Sequence, residues 1–348
     1  MGTRELNHFR LLGHSGLRVS PLCLGTMTFG TEHGWGADKE ESRRILDRYL
    51  ERGGNFIDTA NFYTGGTSET WLGEFLKGRR EAAVLATKFT LNMRPGDPNA
   101  GGNQRKNIVQ SLEASLRRLA TDTIDLYWLH AWDMLTPIEK VMRALDDQVR
   151  AGKILYAGVS DMPAWKVAQA NTLATLRGWT PFIGLQVEYS LIERTVEREL
   201  IPMALDLGLG LTPWSPLGGG ILTGKYNKMK LGEITSDRGA FVTERINERN
   251  LAIAAEVQKV AAELGRAPSQ VALAWLLAQP GVTSPIVGAR TLKQLEDNLG
   301  CLDLELSSDH LARLDAVSRI ELGFPMDFLT HGRIQEFISG GTMIEAQR

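Results

Sequence analysis

Four polar side chains in the first half of the chain could act together on a proton: Asp58, Tyr63, Lys88 and His130. A tyrosine hydroxyl ordinarily has a pKa of about 10, which is too high for easy proton exchange at neutral pH. A neighbouring ammonium stabilises the phenolate and lowers that pKa. Lys88 could supply the ammonium, and Asp58 could keep Lys88 charged and in place. The Tyr63 phenol would then serve as a general acid or base.

The surrounding residue types narrow the chemistry further. His130 could donate a hydrogen bond to a carbonyl oxygen and orient it. The sequence places no cysteine or serine as an activated nucleophile and no pair of histidines as metal ligands, so we predict no metal site. These groups are best suited to giving a proton to a carbonyl oxygen while a hydride attacks the carbon. A reduced nicotinamide is a natural donor of that hydride.

Three of the four groups end apolar segments that are predicted to be β-strands, and Tyr63 lies in the loop just after the first of them. An unpartnered carboxylate at the end of a buried strand is costly, so we expect Asp58 to pair with Lys88. In barrel enzymes the carboxyl ends of neighbouring strands lie close together, so the four side chains can converge. The segments are 55–58, ending in Asp58; 83–88, ending in Lys88; and 124–130, ending in His130.

The same alternation of strand and helix continues along the chain, without a linker or a break in composition. Eight such units in one domain favour an α/β fold of the (β/α)8 TIM barrel type over an open doubly wound sheet. Pro285 inside the last strand is unusual, because proline prefers edges and strand starts. The other strands are predicted at 21–25, 154–159, 182–187, 209–214 and 282–287, and helices at 38–52, from Ser68 as cap to Gly78, around 108–119, and at 137–150, 163–176, 195–207, 248–264, 268–278, 292–301 and 308–319.

We predict a single domain over residues 1–348. It comprises an N-terminal β-hairpin at 9–20, the barrel at 21–303, and an extra C-terminal helix with a tail at 304–348. The tail from 321 onward has no clear period. It could be disordered, or its phenylalanines could form a lid over the barrel mouth.

Composition excludes several classes of protein. The chain is 43% hydrophobic and 23% charged, and its net charge of −2 gives no basic field for nucleic acid. The N-terminus lacks an apolar signal segment, and Pro213 and Pro216 interrupt the longest uncharged run, 207–224, which disfavours a membrane helix. We therefore expect a cytoplasmic protein without nucleic-acid or membrane partners. Cys23 and Cys301 are expected to be buried free thiols.

Several short motifs are specific enough to compare with known families. They are D-T-A at 58–60 with Tyr63, G-T-S-E at 66–69, A-T-K at 86–88, D-L-Y-W-L-H at 125–130, G-V-S at 158–160, L-Q at 185–186, W-S-P-L at 214–217 and G-K at 224–225. Together they resemble the aldo-keto reductase family over residues 11–298. The resemblance implies a catalytic tetrad of Asp58, Tyr63, Lys88 and His130. It also implies interconversion of aldehydes or ketones and alcohols, with Tyr63 as the general acid or base.

The resemblance further implies a nicotinamide cofactor, bound in extended form across the barrel mouth. No Rossmann fingerprint is present in the sequence. Arg290 could pair with a 2′-phosphate, so NADPH and NADP+ are favoured, and NADH stays possible. By the resemblance, the cofactor-binding residues are Thr26, Met27, Asp58, Ser160, Asp161, Gln186, Trp214, Ser215, Pro216, Leu217, Gly218, Lys225, Gly288, Arg290, Gln294, Asp297 and Asn298.

Two residues depart from the family pattern, and one has a competing structural role. Asp161 stands where asparagine is usual, and a carboxylate cannot donate a hydrogen bond to a carboxamide. Thr64 stands where glycine is common, which could change the path of the loop. Gln294 could complete a capping box with Thr291 instead of binding the cofactor.

Two other functions stay open. Some members of this family, the potassium-channel β subunits, act mainly as partners of a membrane protein, and an intact tetrad does not exclude that role. A barrel hydrolase would need two carboxylates facing one pocket, and here Lys88 is expected to neutralise Asp58.

The substrate is a small carbonyl compound or alcohol that the sequence does not identify further, and the oligomeric state is equally open. The loops expected to shape its pocket carry no recognisable code. Four aromatic residues indicate an apolar pocket, although core packing explains them nearly as well. The loops are 28–35, 92–102, 225–245 and the tail, and the aromatic residues are Trp35, Phe62, Phe89 and Trp132.

Overall fold

The structure is a computed structural model that describes residues 5–32, 34–227 and 240–343, without the side chains of 240 and 241. Parts of three predicted loops therefore lie outside the described residues: His33, residues 228–239 and residues 344–348. Within the described residues the chain forms an eight-stranded parallel sheet with surrounding helices and an N-terminal hairpin. The predicted (β/α)8 barrel is confirmed.

The strands follow the predicted order, and consecutive strands of the barrel pair in parallel. Most are shorter than predicted, because several segments enter the ladder later or leave it earlier than the apolar pattern indicates. The hairpin strands are β1 (Arg10–Leu11) and β2 (Arg18–Val19), and the barrel strands are β3 (Cys23–Gly25), β4 (Phe56–Asp58), β5 (Val84–Phe89), β6 (Ile124–Leu129), β7 (Ile154–Ser160), β8 (Phe182–Gln186), β9 (Gly210–Leu211) and β10 (Ile286–Gly288).

The sheet closes on itself at both edges of the strand order. β10 pairs with β3, so that Ile286 lies opposite Cys23. On the other side, the Leu211 carbonyl accepts a hydrogen bond of 2.9 Å from the Thr283 amide, and Leu211 forms a parallel bridge with Val282. Closure removes the exposed sheet edges that an open sheet would leave.

Pro285 does not disturb this closure, because it lies just before β10 and not inside it. Its carbonyl accepts a hydrogen bond of 2.9 Å from the Cys23 amide. The missing proline N–H therefore falls at a position where the ladder needs only an acceptor.

The helices surround the strands and lie close to their predicted bounds. α1 is capped by Asp38, whose carboxylate accepts from the Glu41 amide at 2.9 Å. The helix predicted over 195–207 is instead a 3-10 turn followed by a short helix. The helices are α1 (Lys39–Glu51), α2 (Thr67–Phe75), α3 (Arg105–Leu119), α4 (Ile138–Arg150), α5 (Ala164–Arg177), α6 (Leu200–Asp206), α7 (Ala240–Thr243), α8 (Glu248–Leu264), α9 (Pro268–Leu277), α10 (Leu292–Leu299), α11 (Ser308–Ser318), α12 (Met326–Leu329) and α13 (Gly332–Ser339).

The prediction that Ser68 caps α2 was wrong. Gly66, with φ +99°, is the N-cap residue, and Ser68 lies inside the helix with a fully buried side chain. The Ser68 hydroxyl donates to the Thr26 carbonyl at 2.9 Å, so it joins the helix to the end of β3. Ser68 therefore serves the site's framework and not the helix end.

The tail folds into α12 and α13 in the part that the structure describes. The aromatic side chains that favoured a lid are exposed: Phe324, Phe328 and Phe337 keep half or more of their surface in solvent. Among the described residues no helix is long and apolar enough to span a lipid bilayer.

The hairpin turn closes the amino-terminal end of the barrel. Gly13, with φ +57°, lies so close to Gly208 that a Cβ atom there would approach the Gly208 carbonyl oxygen to 2.3 Å. The His14 amide donates to the same carbonyl at 2.9 Å, and Leu12 is completely buried. The barrel is thus plugged at one end, and the strand ends that carry the polar groups lie at the other.

Candidate active site

Asp58 and Lys88 form a buried ion pair at the carboxyl ends of β4 and β5. Asp58 lies opposite Ala86 in the parallel ladder, and because side chains alternate, Lys88 two residues further on shares the same face. The Lys88 ammonium donates to the Asp58 carboxylate and, at 2.8 Å, to the Thr59 carbonyl. Both side chains are almost completely shielded from solvent. The pairing predicted from the sequence is present.

The ion pair keeps the lysine charged. Burial disfavours the Lys88 ammonium, but the adjacent Asp58 carboxylate and Tyr63 hydroxyl outweigh burial and raise the pKa of Lys88. Burial raises the pKa of Asp58, while Lys88 and the Gln186 amide, which donates to Asp58 Oδ1 at 3.0 Å, oppose that rise. Lys88 is therefore a fixed positive charge at neutral pH.

The Tyr63 hydroxyl lies within hydrogen-bond distance of this fixed charge. Its oxygen is 3.0 Å from Lys88 Nζ, and Lys88 Nζ is 4.6 Å from the centroid of the Tyr63 ring. Burial raises the pKa of Tyr63, and the lowering by Lys88 that we predicted is the largest opposing effect but does not outweigh burial. The phenol is thus protonated at neutral pH, in the form that can give a proton to a bound oxygen.

His130 completes the group from the end of β6. Its ring meets the Tyr63 ring edge-on, with centroids 6.1 Å apart. Burial, and then the nearby Lys88 charge, lower the pKa of His130 from 6.5 to about 3. The imidazole is therefore neutral, and its Nδ1 atom is buried without a hydrogen-bond partner among the described residues. The geometry thus brings all four side chains predicted from the sequence to one place.

Replacing His130 by asparagine should make the free energy of unfolding less dependent on pH in acid. The pKa of His130 falls from 6.5 to about 3 on folding, so between these values the unfolded state binds a proton that the native state excludes. The wild type should lose stability as the pH falls through that interval, by at most about 1.4 kcal/mol per pH unit. Urea titrations of both proteins across the interval measure this difference, and equal slopes would contradict a buried neutral imidazole.

Thr26 and Gln186 surround the ion pair and hold it from two sides. The Thr26 hydroxyl donates to the Asp58 carbonyl at 3.0 Å, and Gln186 donates to the Asp58 carboxylate, as described above. Thr26 and Gln186 are buried, whereas Met27, the next residue along, is 41% exposed. Thr26 and Gln186 therefore order the site's framework, whereas Met27 takes no part in it through the contacts of the described residues.

Trp214 and Asp161 form a contact that sequence reasoning missed. The Trp214 indole Nε1 donates to Asp161 Oδ1 at 3.1 Å, and the Ser160 hydroxyl donates to Asp161 Oδ2 at 3.1 Å. Asp161 holds this position with a left-handed backbone at φ +47°. The carboxylate that we considered unsuited as a donor is instead an acceptor that fixes the Trp214 ring. The only signal in the sequence was that the Trp214 indole N–H needs an acceptor. The large separation of the two residues along the chain concealed which acceptor it would find.

The segment after Trp214 turns sharply. Ser215 and Gly218 have left-handed backbones, at φ +53° and +56°, and the Gly218 amide donates to the Ser215 carbonyl at 2.8 Å. A Cβ atom on Gly218 would lie 2.3 Å from Ile192, so a side chain there would not fit. Pro216 is buried and Leu217 partly buried. Lys225 is exposed, with its ammonium 4.6 Å from the ring centroid of Tyr226.

The residues predicted to contact the adenosine side of the cofactor lie around the start of α10, and they differ in burial and in hydrogen bonding. The Gln294 amide donates to the Thr291 hydroxyl at 3.2 Å, but the Gln294 side chain accepts from the Arg290 amide at 2.9 Å and not from that of Thr291, so only half of the predicted capping box is formed. Asp297 accepts a hydrogen bond from Ser269. Asn298 is buried and Gly288 is exposed. Within the described residues the Arg290 guanidinium makes no hydrogen bond or ion pair.

Thr64 takes the conformation that a glycine would favour, with φ +47°. This backbone is unfavourable for a β-branched residue. The Thr64 hydroxyl donates to the Phe29 carbonyl at 2.8 Å and thereby supports the strained loop. The substitution leaves Tyr63 within reach of Lys88.

The sequence model of the Aldo/keto reductase family matches residues 21–319, which include all eight barrel strands. The chain belongs to the aldo/keto reductase family. It is accordingly an NAD(P)H-dependent oxidoreductase, as expected from the motifs.

Three relatives illustrate the similarity of this aldo/keto reductase to others. Norsolorinic acid reductase of Emericella nidulans is 40% identical, with 97% of this chain and 88% of the relative covered. The uncharacterised oxidoreductase YrpG of Bacillus subtilis is 40% identical, covering 89% of this chain and 95% of the relative. Aryl-alcohol dehydrogenase [NADP(+)] of Phanerodontia chrysosporium is 37% identical, covering 93% and 89% respectively.

The aromatic residues predicted to line the reductase's pocket divide between the mouth and the core. Phe62 is 43% exposed beside Tyr63, and Trp35 and Trp132 are partly buried. Phe89 is completely buried and stacks on Tyr127 with ring centroids 5.1 Å apart. The pocket interpretation was therefore wrong for Phe89, whose side chain alternates to the outer face of β5.

A second ion pair near the mouth was also missed by sequence reasoning. Arg245 donates through two nitrogens to the two carboxylate oxygens of Glu188, which lies just after β8 and bridges in parallel to Trp214. A bidentate pair of this kind fixes both side chains. Arg245 thus joins the chain just before α8 to the strand end that carries Gln186.

Proposed function

We propose that this aldo/keto reductase reduces aldehydes or ketones to alcohols with NADPH, and that Tyr63 is its general acid. The observation that supports this most directly is the Tyr63 hydroxyl 3.0 Å from a buried, permanently charged Lys88. Asp58 holds that charge in place. Asp58 and Lys88 act on a carbonyl substrate only through this phenol, so the proposal depends on it.

In the proposed reaction the substrate oxygen binds between Tyr63 and His130. The protonated Tyr63 gives its proton to that oxygen, and the Lys88 ammonium stabilises the phenolate that remains. Neutral His130 donates one N–H to the same oxygen and sets its orientation, since an imidazole has one donor in its uncharged form. When bound, the nicotinamide supplies a hydride to the carbonyl carbon. In the reverse direction the Tyr63 phenolate accepts a proton from an alcohol.

The residues at the mouth fit a nicotinamide dinucleotide. Trp214 presents an indole ring that Asp161 holds in place, and Met27, just after β3, leaves 41% of its surface exposed. Gly218, Gly219 and Gly220 form a left-handed stretch without side chains, and backbone of this kind can approach a phosphate-bearing ligand closely. The Asp161 carboxylate would accept from a carboxamide NH2 group, which resolves the doubt about its inability to donate. Asp297 and Gln294 already make hydrogen bonds within the protein. Each would therefore contact the cofactor only through the atoms that those bonds leave free.

Arg290→Ala should weaken NADPH binding about tenfold and leave NADH binding nearly unchanged. A 2′-phosphate gains a charge-assisted hydrogen bond from the guanidinium, and only NADPH carries that group. Dissociation constants for both cofactors, measured by quenching of tryptophan fluorescence, give the comparison. Arg177→Ala, at the exposed end of α5, serves as a control for loss of one arginine. Equal affinity for the two cofactors in the wild type would refute the NADPH preference.

We propose aromatic aldehydes, ketones and alcohols as the substrate class. One of the relatives, the aryl-alcohol dehydrogenase of Phanerodontia chrysosporium, is named for an aromatic alcohol. A panel of aryl and alkyl aldehydes, followed by nicotinamide absorbance with NADPH and with NADH, tests both the activity and the class. Faster turnover of alkyl than of aryl aldehydes would refute the class.

Slow turnover of every carbonyl, with a stable partner protein, would favour a binding subunit instead. The cytoplasmic location and the single-domain organisation stay predictions.

A further inference from the structure

Two tryptophans and a lysine form an aromatic cluster at the same end of the barrel as the candidate active site. Trp132 follows β6, two residues after His130, and Trp165 and Lys166 lie in the first turn of α5, which follows β7. We call Trp132, Trp165 and Lys166 the mouth cluster. Both segments leave the carboxyl ends of neighbouring strands, so the cluster lies at the same end of the barrel as the tetrad. Two residues of chain span at most about 7 Å, which bounds the Cα separation of Trp132 and His130.

The cluster is ordered by its own contacts. The rings of Trp132 and Trp165 meet edge-on at 88°, with centroids 5.8 Å apart. The Lys166 ammonium lies 5.3 Å from the Trp132 ring centroid and 4.4 Å from that of Trp165, within the range of a cation–π interaction. The Trp132 amide also reaches the Asp161 carbonyl at 3.4 Å. The cluster is therefore tied to the residue that holds Trp214.

Three features of the cluster are not explained by folding. Trp165 leaves 58% of its surface exposed, although a large indole ordinarily gains from burial. The Trp132 indole Nε1 is shielded from solvent yet has no hydrogen-bond partner among the described residues. Lys166 donates only to the neutral Gln169 side chain, at 2.9 Å, and forms no ion pair in the described part of the chain. The mouth cluster thus combines an exposed aromatic ring, an unpaired indole N–H and, among the described residues, a cation without an anionic partner.

We propose that the mouth cluster binds the distal part of an aromatic carbonyl substrate that carries an anionic oxygen group, a carboxylate or a phenolate. The proposal rests on the carbonyl reductase function proposed above. The substrate ring would pack on the exposed Trp165 indole. The anionic oxygen would accept a hydrogen bond from the Lys166 ammonium, which has only the neutral Gln169 side chain as a partner among the described residues. The cluster thereby selects substrates by charge as well as by aromaticity.

Lys166→Met tests the charge preference, because it keeps most of the side-chain stem and removes the ammonium. The ratio of kcat/KM for para-carboxybenzaldehyde to that for para-methylbenzaldehyde should fall about tenfold, as expected for loss of one charge-assisted hydrogen bond. Lys166→Arg should retain most of the ratio. Lys140→Met, an equal charge change on the exposed face of α4, should leave it unaltered. An unchanged ratio in Lys166→Met would overturn the proposal while leaving the reductase function intact.

Binding of naphthoate, which carries no reducible carbonyl, separates the cluster from the chemistry. Its dissociation constant should rise about tenfold in Lys166→Met, and the wild-type affinity should weaken with added salt. Trp165→Leu should weaken naphthoate and its neutral analogue naphthylmethanol alike, because both lose the stacking surface. If no carbonyl is turned over but Lys166 still governs naphthoate affinity, the cluster stands and the reductase proposal fails. If Lys166→Met binds naphthoate as the wild type does, the cluster proposal fails.

Discussion

Tyr63→Phe lowers kcat for carbonyl reduction about a thousandfold, by our expectation, and leaves cofactor affinity unchanged. The substitution removes only the hydroxyl that lies 3.0 Å from Lys88 Nζ, so the ring can keep its edge-on contact with His130. Loss of a positioned general acid typically costs about a hundredfold to ten-thousandfold in rate. Steady-state turnover of an aryl aldehyde and the dissociation constant for NADPH provide the two measurements.

The matched control is Tyr156→Phe. Tyr156 lies on β7, packs against the barrel interior and makes no hydrogen bond to Lys88. It should keep most of the wild-type rate, which shows that loss of a barrel hydroxyl is not by itself harmful. Turnover of Tyr63→Phe within tenfold of the wild type would rule out the phenol as the proton donor.

Lys88→Met should destabilise the fold as well as abolish turnover. It leaves the Asp58 carboxylate buried without its cation, and breaking a buried ion pair in this way typically costs about 3–5 kcal/mol. Burial raises the pKa of Asp58, and without Lys88 nothing comparable opposes that rise. The destabilisation should therefore be small in acid, where Asp58 is protonated, and should grow as the pH rises. The free energy of unfolding from urea titrations at several pH values measures it.

The double variant Asp58→Asn/Lys88→Met separates stability from catalysis. A neutral amide needs no buried cation, so much of the lost stability should return, and its dependence on pH should disappear. Turnover should not return, because Tyr63 still lacks the ammonium. If the double variant were as unstable as Lys88→Met alone, the uncompensated carboxylate would not be the cause.

The tetrad could be predicted from the sequence because its members are marked by local sequence patterns. Asp58, Lys88 and His130 each end an apolar segment, and parallel strands bring such ends together whatever the rest of the chain does. The side-chain alternation within β5 then decides which face Lys88 shares with Asp58. Strand order, the hairpin and most helix bounds follow from equally local patterns.

Other parts of the site depend on contacts between distant segments and gave no local signal. The pairing of Trp214 with Asp161 joins two strand ends far apart in sequence, and its geometry depends on the left-handed turn at Asp161. Ser68 looked like a helix cap because serine commonly is one, but tertiary packing placed its hydroxyl against Thr26 instead. Phe89 was predicted to line the pocket. The pleat of β5 instead directs its side chain outward, where it stacks on Tyr127.

The pairing of β3 with β10 delays complete folding of this reductase until late in its synthesis. All four tetrad residues are synthesised within the first half of the chain, yet the outer edge of β3 finds its partner only when Ile286–Gly288 have been made. Until then a nascent barrel presents an unsatisfied row of amides and carbonyls that another polypeptide could occupy. Because so late a contact must join the two ends of the barrel, its closure is a slow event. The same holds for the edge at Leu211, whose partners Val282 and Thr283 are made equally late, so both edges need protection during translation.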